Sequence, residues 1–117
     1  MIHIAIAEDN PGIQQALQLC LEQSGFRVSI YGNGEHLIKD DLDLPDLFIL
    51  DKQLSGINGL DICRHLKLKA TTRNIPVIML SADPYIAGLA RTAGADDYLE
   101  KPFTIQRLRE MIAKHTA

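Results

Sequence analysis

Short apolar runs in this chain end on residues that can do chemistry. Glu8 and Asp9 follow the run Ile2 to Ala7, Asp51 follows Leu47 to Leu50, Ser81 follows Val77 to Leu80, and Lys101 comes just after Tyr98 and Leu99. Were a fold to gather them, three carboxylates would repel one another, and either a pKa would rise or a cation would be bound. A donor set of oxygens suits Mg²⁺, and no His or Cys stands near these positions to favour zinc. A divalent ion and Lys101 would neutralise phosphoryl oxygens, Ser81 could hydrogen-bond one of them, and a carboxylate could attack phosphorus in line. Asp51 is the expected nucleophile, because it ends the central run alone.

Taken singly, each residue has a plainer role. An Asp after a strand is more often a turn or capping residue than a nucleophile. Glu8 and Asp9 could serve the dipole of a helix starting at Pro11, Ser81 could cap a helix, and Lys101 could be a solvated surface lysine. Tyr98 could be a half-buried strand aromatic with its hydroxyl in water. Chemistry is favoured over capping only if these positions converge in space.

The elements that would bring them together are legible in the periodicity. The runs Ile2 to Ala7, Arg27 to Tyr31, Leu47 to Leu50, Val77 to Leu80 and the weaker Tyr98 to Leu99 read as five strands. Between the first two, Ile13, Ala16, Leu17, Cys20 and Leu21 recur at helical spacing, with Pro11 near the start and Gly25 just past the end. Leu37 and Ile38 suggest a short second helix, and Ile62, Leu66 and Lys69 a third beginning after Gly59. A fourth, rich in Ala and Gly, runs from about Pro84 to Ala93, and a fifth carries Ile105, Leu108, Met111 and Ile112 on one stripe. Alternating strands and helices with short connections imply right-handed crossovers and an open parallel sheet covered on both faces. Ligands of such sheets lie at the carboxyl ends of the strands, where the reactive residues stand.

Composition narrows the class. At 117 residues and 46% hydrophobic content the chain can build one continuous core, and residues 1–117 are expected to form a single domain. A net charge of -3 gives no overall attraction to nucleic acid or anionic membranes. No apolar run approaches a membrane span and no signal-peptide pattern opens the chain, so a cytoplasmic location is expected. Cys20 and Cys63 lack C-x-x-C spacing and are expected to be core residues. His3, His36, His65 and His115 are scattered without ligand spacing.

Over its whole length the chain resembles the receiver domain of two-component response regulators. The resemblance rests on Glu8-Asp9-Asn10, on Asp51 with Gly56-Ile57-Asn58-Gly59-Leu60, on Ser81-Ala82, and on the run from Gly94 to Phe103 that contains Lys101-Pro102. It implies a flavodoxin-like α/β fold: an open five-stranded parallel sheet of order 2-1-3-4-5 flanked by five helices. It further implies that Asp51 is the phosphoacceptor, that Glu8, Asp9, Asp51 and the backbone carbonyl of Gln53 hold Mg²⁺, and that Ser81 is a switch hydroxyl with Lys101 as its companion. Tyr98 resembles the aromatic that reports the switch on the face formed by the fourth helix, fifth strand and fifth helix, where a downstream protein would dock. The implied phosphodonor is a sensor histidine kinase or a histidine phosphotransfer protein, and Lys101-Pro102 is expected to be cis. Two departures stand out. Ser55 occupies a place where the family commonly has Pro, and Gln53 and Asp83 stand where receivers control access of water to the acyl phosphate.

Other functions fit less well. An aspartyl-phosphate phosphohydrolase of the haloacid-dehalogenase type would need D-x-D-x-T, but Asp51 is followed by Lys52, Gln53, Leu54 and Ser55, so the acid–base carboxylate is missing. An FMN carrier would need a Ser/Thr/Gly-rich phosphate loop after the first strand, where Glu8 and Asp9 would repel phosphate. A pseudo-receiver that docks without phosphorylation would not need competent residues at all five site positions. The chain is therefore expected to act as a switch and not as an enzyme.

Overall fold

The computed structural model describes residues 1–39 and 42–116. In chain order these form β1 (His3–Ala7), α1 (Pro11–Gln23), β2 (Arg27–Tyr31), a 3-10 turn (Glu35–Ile38), β3 (Leu47–Asp51), α2 (Gly59–Leu68), β4 (Val77–Ser81), α3 (Ile86–Ala93), β5 (Asp97–Glu100) and α4 (Ile105–Thr116). All five strands are parallel, in the order β2-β1-β3-β4-β5. This is the expected flavodoxin-like sheet, and its carboxyl ends share one edge.

The helix count differs from expectation. Four α-helices are present among the described residues, not five, because the segment containing Leu37 and Ile38 makes only a 3-10 turn. Gly34 offers no side-chain cap, and Lys39 is already extended at ψ 152. Beyond it the sequence runs through Asp40, Asp41 and Asp43 to Pro45, placing acidic residues where a helix would present its negative end and closing with a residue that breaks helices.

Alternation along the central strands divides the core in two. Phe48 and Leu50 of β3 face α2 and α3 together with Ala5, Ala7, Val77 and Met79. Leu47 and Ile49 face α1 and α4 together with Ile4, Ile6, Ile78 and Leu80. β1, β3 and β4 are buried along their full length, whereas on the edge strand β5 only Leu99 is buried, which explains its weak sequence signal. On α1 only Leu17 and Leu21 are buried, so Cys20, expected in the core, is half-exposed. Cys63 is buried as expected, and burial pushes its thiol up to about 11, leaving it unreactive. Among the described residues no helix is long and apolar enough to cross a membrane.

Local chemistry starts and stops the helices that frame the site. The Asn10 side chain accepts from the backbone N–H of Ile13 at 3.1 Å, with Pro11 opening α1, and the Asn58 side chain accepts from Leu60 N–H at 2.7 Å to open α2. Gly94, at φ 86, closes α3 in the left-handed conformation that glycine adopts without strain.

Candidate functional site

Parallel pairing sets the site residues side by side. Ala7 pairs with Leu50, so Glu8 follows β1 where Asp51 ends β3, and Asp51 in turn lies opposite Leu80, one residue before Ser81. The backbone N–H of Lys101 donates to the carbonyl of Ser81 at 2.9 Å, bringing the chain after β5 to the same edge. The Lys101-Pro102 peptide bond is cis, as expected.

At the centre lies a carboxyl pair with one cation. Asp51 and Glu8 are 4% and 2% exposed, deep burial for acidic residues. The Lys101 ammonium donates to Asp51 Oδ2 and lies 3.7 Å from Glu8 Oε2. Asp51 Oδ1 accepts from Gln53 N–H at 2.9 Å, and Glu8 Oε1 accepts from Asn10 N–H at 3.1 Å. Glu8 Oε2 is buried without a hydrogen-bond partner. Burial first, then the neighbouring Asp51 carboxyl, pushes Glu8 from the usual 4.5 up to about 7, against the downward pull of Asn10 N–H and Lys101. An orphaned buried carboxylate oxygen beside a second carboxylate is a position that a hard cation would satisfy, so these residues fit Mg²⁺.

Asp9 departs from the expected convergence. Its exposed carboxylate turns to the loop after β3, where Oδ2 accepts from both the backbone N–H and the hydroxyl of Ser55, at 3.1 and 3.0 Å. Two of the three expected carboxylates therefore meet, and among the described residues no cluster of three or more His, Cys, Asp or Glu forms a ready-made metal cage. A proline at position 55 could supply neither donor, so both bonds depend on the departure seen in the sequence. Gln53 is exposed on the same loop, beside Asp51.

Ser81 is 3% exposed, and its Oγ accepts from Asp83 N–H at 2.9 Å. Tyr98 lies on β5, 39% exposed, and lines a shallow groove with Ala87, Ala90 and Arg91 of α3. That groove occupies the face expected to carry output, whose helices are α3 and α4 of the structure. Asp97, which also lines the groove, accepts from the His115 ring of α4 at 2.8 Å.

The contacts of three residues escaped sequence reasoning. Gly59 carries no side chain because a Cβ there would press on the backbone carbonyl of Asp51. Lys52 pairs with Asp83 across the two loops that flank the site, Nζ to Oδ2 at 3.2 Å. Ser55 holds Asp9 as described. The Asn58-Gly59 step is a legible cap signal, but no sequence pattern pairs residues as distant as Lys52 and Asp83, or Ser55 and Asp9.

Known proteins share this fold. The family model of the response regulator receiver domain matches residues 4–113. The phosphate regulon transcriptional regulatory protein PhoB of Rhizobium meliloti is 39% identical over 110 residues, covering 90% of this chain and 48% of that protein. The chain thus spans about half the length of such regulators. Among solved structures, the signal receiver domain of a signal transduction histidine kinase from Syntrophus aciditrophicus is 31% identical with a TM-score of 0.91, covering 99% of this chain and 90% of that one. The receiver domain of a sensor histidine kinase from Pseudomonas aeruginosa, solved with a magnesium ion coordinated in its active-site cleft, is 25% identical with a TM-score of 0.89, covering 98% of this chain and 97% of that one. A family match across almost the whole chain, on a sheet of the same order, places this protein in the response regulator receiver domain family of two-component signalling.

Proposed function

We propose that residues 1–117 act as one phosphoacceptor switch, with Asp51 receiving a phosphoryl group from the phosphohistidine of a sensor histidine kinase or a histidine phosphotransfer protein. The observation that carries this reading is the buried Asp51 carboxylate, bonded to Lys101 and set against the orphaned oxygen of Glu8 at the carboxyl edge of the sheet. Glu8, Asp9, Asp51 and the Gln53 carbonyl would hold Mg²⁺, which when bound neutralises phosphoryl oxygens. Asp51 forms the new O–P bond as the donor's N–P bond breaks, and the freed imidazole takes its proton from solvent. Gln53 N–H holds one Asp51 oxygen in place, leaving the other, now on Lys101, as the attacking atom. Lys101 then pairs with the added negative charge, and Ser81 turns to donate to a phosphoryl oxygen. That turn favours one of two arrangements of the face formed by α3, β5 and α4, where Tyr98 lies and a downstream protein docks. The domain works as a cytoplasmic switch, without turnover of a separate substrate and without contacting nucleic acid or membrane itself.

The test is incubation with acetyl phosphate or beryllofluoride and Mg²⁺, followed by phosphate labelling and amide NMR. Asp51→Asn should abolish labelling, while Asp43→Asn, at an exposed pair with Arg27, should leave it intact. Wild-type spectra unmoved by beryllofluoride and Mg²⁺ would leave a phosphorylation-independent docking module in place of this proposal.

A further inference from the structure

The geometry points to Lys52 as a positioning residue that, through Asp83, holds the Ser81 hydroxyl away from the phosphoacceptor until phosphorylation. This inference rests on the switch role proposed above for Ser81 and adds the device that restrains it. Ser81 Oγ does not wait free: it accepts from the N–H of Asp83 at 2.9 Å, so turning toward a phosphoryl group on Asp51 must break that bond. The bond lasts only while the Asp83 backbone stays where it is, and two contacts of the Asp83 side chain keep it there. Oδ1 accepts from Tyr85 N–H at 2.9 Å, closing a tight turn. Oδ2 takes the Lys52 ammonium at 3.2 Å, tying the turn to the neighbouring loop.

Lys52 is itself well anchored. Its backbone N–H donates to Leu80 O at 2.9 Å and its carbonyl accepts from Gly59 N–H at 3.0 Å, so its base is fixed between β4 and the start of α2. The two charged side chains are 17% and 27% exposed, a more sheltered setting than the surface pair of Arg27 and Asp43 at 57% and 64%. Shelter from water and salt lets such a pair persist. The Tyr85 N–H, and after it Lys52, hold the Asp83 carboxyl below the usual carboxylate range, so it stays charged near neutral pH.

Asp83 also opens α3, since its carbonyl accepts from Ile86 N–H at 3.1 Å. Ser81, Asp83 and the first turn of α3 are thus one hydrogen-bonded unit, and α3 belongs to the face that reports the switch. Releasing Asp83 from Lys52 should free Ser81 and the start of α3 together.

The experiment compares Lys52→Met and Asp83→Asn in the full chain by amide NMR without phosphodonor, against wild type with and without beryllofluoride and Mg²⁺. The two variants change local charge in opposite senses, but each removes the latch, while the conservative Lys52→Arg keeps it. Amide signals of Ala87 and Tyr98, distant in sequence from Lys52, should shift in both variants along the line joining the free and beryllofluoride-bound wild-type positions. Lys52→Arg should remain at the free wild-type position. The ratio of switched to resting forms should rise roughly two- to five-fold, as expected for loss of one ion pair. Donor-free signals that coincide with wild type in both variants, or that move in opposite directions, overturn the latch. If wild type responds to beryllofluoride and only the variants fail to move, the latch alone is wrong; if wild type does not respond, the switch reading fails and the latch with it.

Discussion

Glu8→Gln should stabilise the metal-free domain, by an amount that grows with pH. The Glu8 side chain is 2% exposed, with Oε1 satisfied by Asn10 N–H and Oε2 lacking a hydrogen bond, 3.7 Å from the Lys101 ammonium. A glutamine can keep the bond from Asn10 and offer its amide N–H to the Asp51 carboxylate, turning a repulsion into a hydrogen bond. Glu8 is raised from 4.5 to about 7, so the folded chain holds this proton over a range in which the unfolded chain has lost it. Stability from this group is therefore complete below about pH 4.5, declines as pH rises, and reaches its floor above about 7. At roughly 1.4 kcal/mol per pKa unit, the full shift corresponds to about 3 kcal/mol, and relaxation of the site when Glu8 ionises reduces it to about 2. The difference between variant and wild type should be small at pH 4.5 and about 2 kcal/mol at pH 8, a Tm gap on the order of 8 °C for a domain of this size. Urea or thermal unfolding across that range in chelator would measure it, and adding Mg²⁺ should narrow the gap by stabilising wild type through binding. A gap equal at both ends of the range, or a variant less stable throughout, would refute the claim that Glu8 is a strained carboxyl kept for its function.

Two further outcomes follow from the same edge of the sheet. Gly59→Ala should cost about 3 kcal/mol, because the added methyl meets the Asp51 backbone carbonyl, which cannot swing aside as a side chain would. Urea denaturation checks this, and the modest gain that alanine usually brings to a helix start would contradict it. Ser55→Ala should bind Mg²⁺ about two- to five-fold more tightly, since it removes the hydroxyl that competes for Asp9 Oδ2. A calorimetric titration showing unchanged or weaker binding would count against Asp9 as a ligand that must first leave Ser55.

Local patterns carried the architecture. Continuous apolar runs marked β1, β3 and β4 because those strands are buried on both faces, and the stripe of Leu108, Met111 and Ile112 marked α4 because one face of it meets the sheet. They also located Glu8, Asp51, Ser81 and Lys101 at one edge, since parallel strands necessarily share their carboxyl ends. The segment around Leu37 makes a single 3-10 turn where a short helix is expected, because two apolar neighbours cannot show whether hydrogen bonding extends past one turn. What periodicity could not reveal was which way each reactive side chain points and what it touches. Asp9 turning to Ser55, Glu8 meeting Lys101, and Lys52 reaching Asp83 all join residues from different crossovers. Such contacts depend on loop paths and rotamers settled only when the whole sheet is packed, because the energy of each pair is small beside that of the core that positions it.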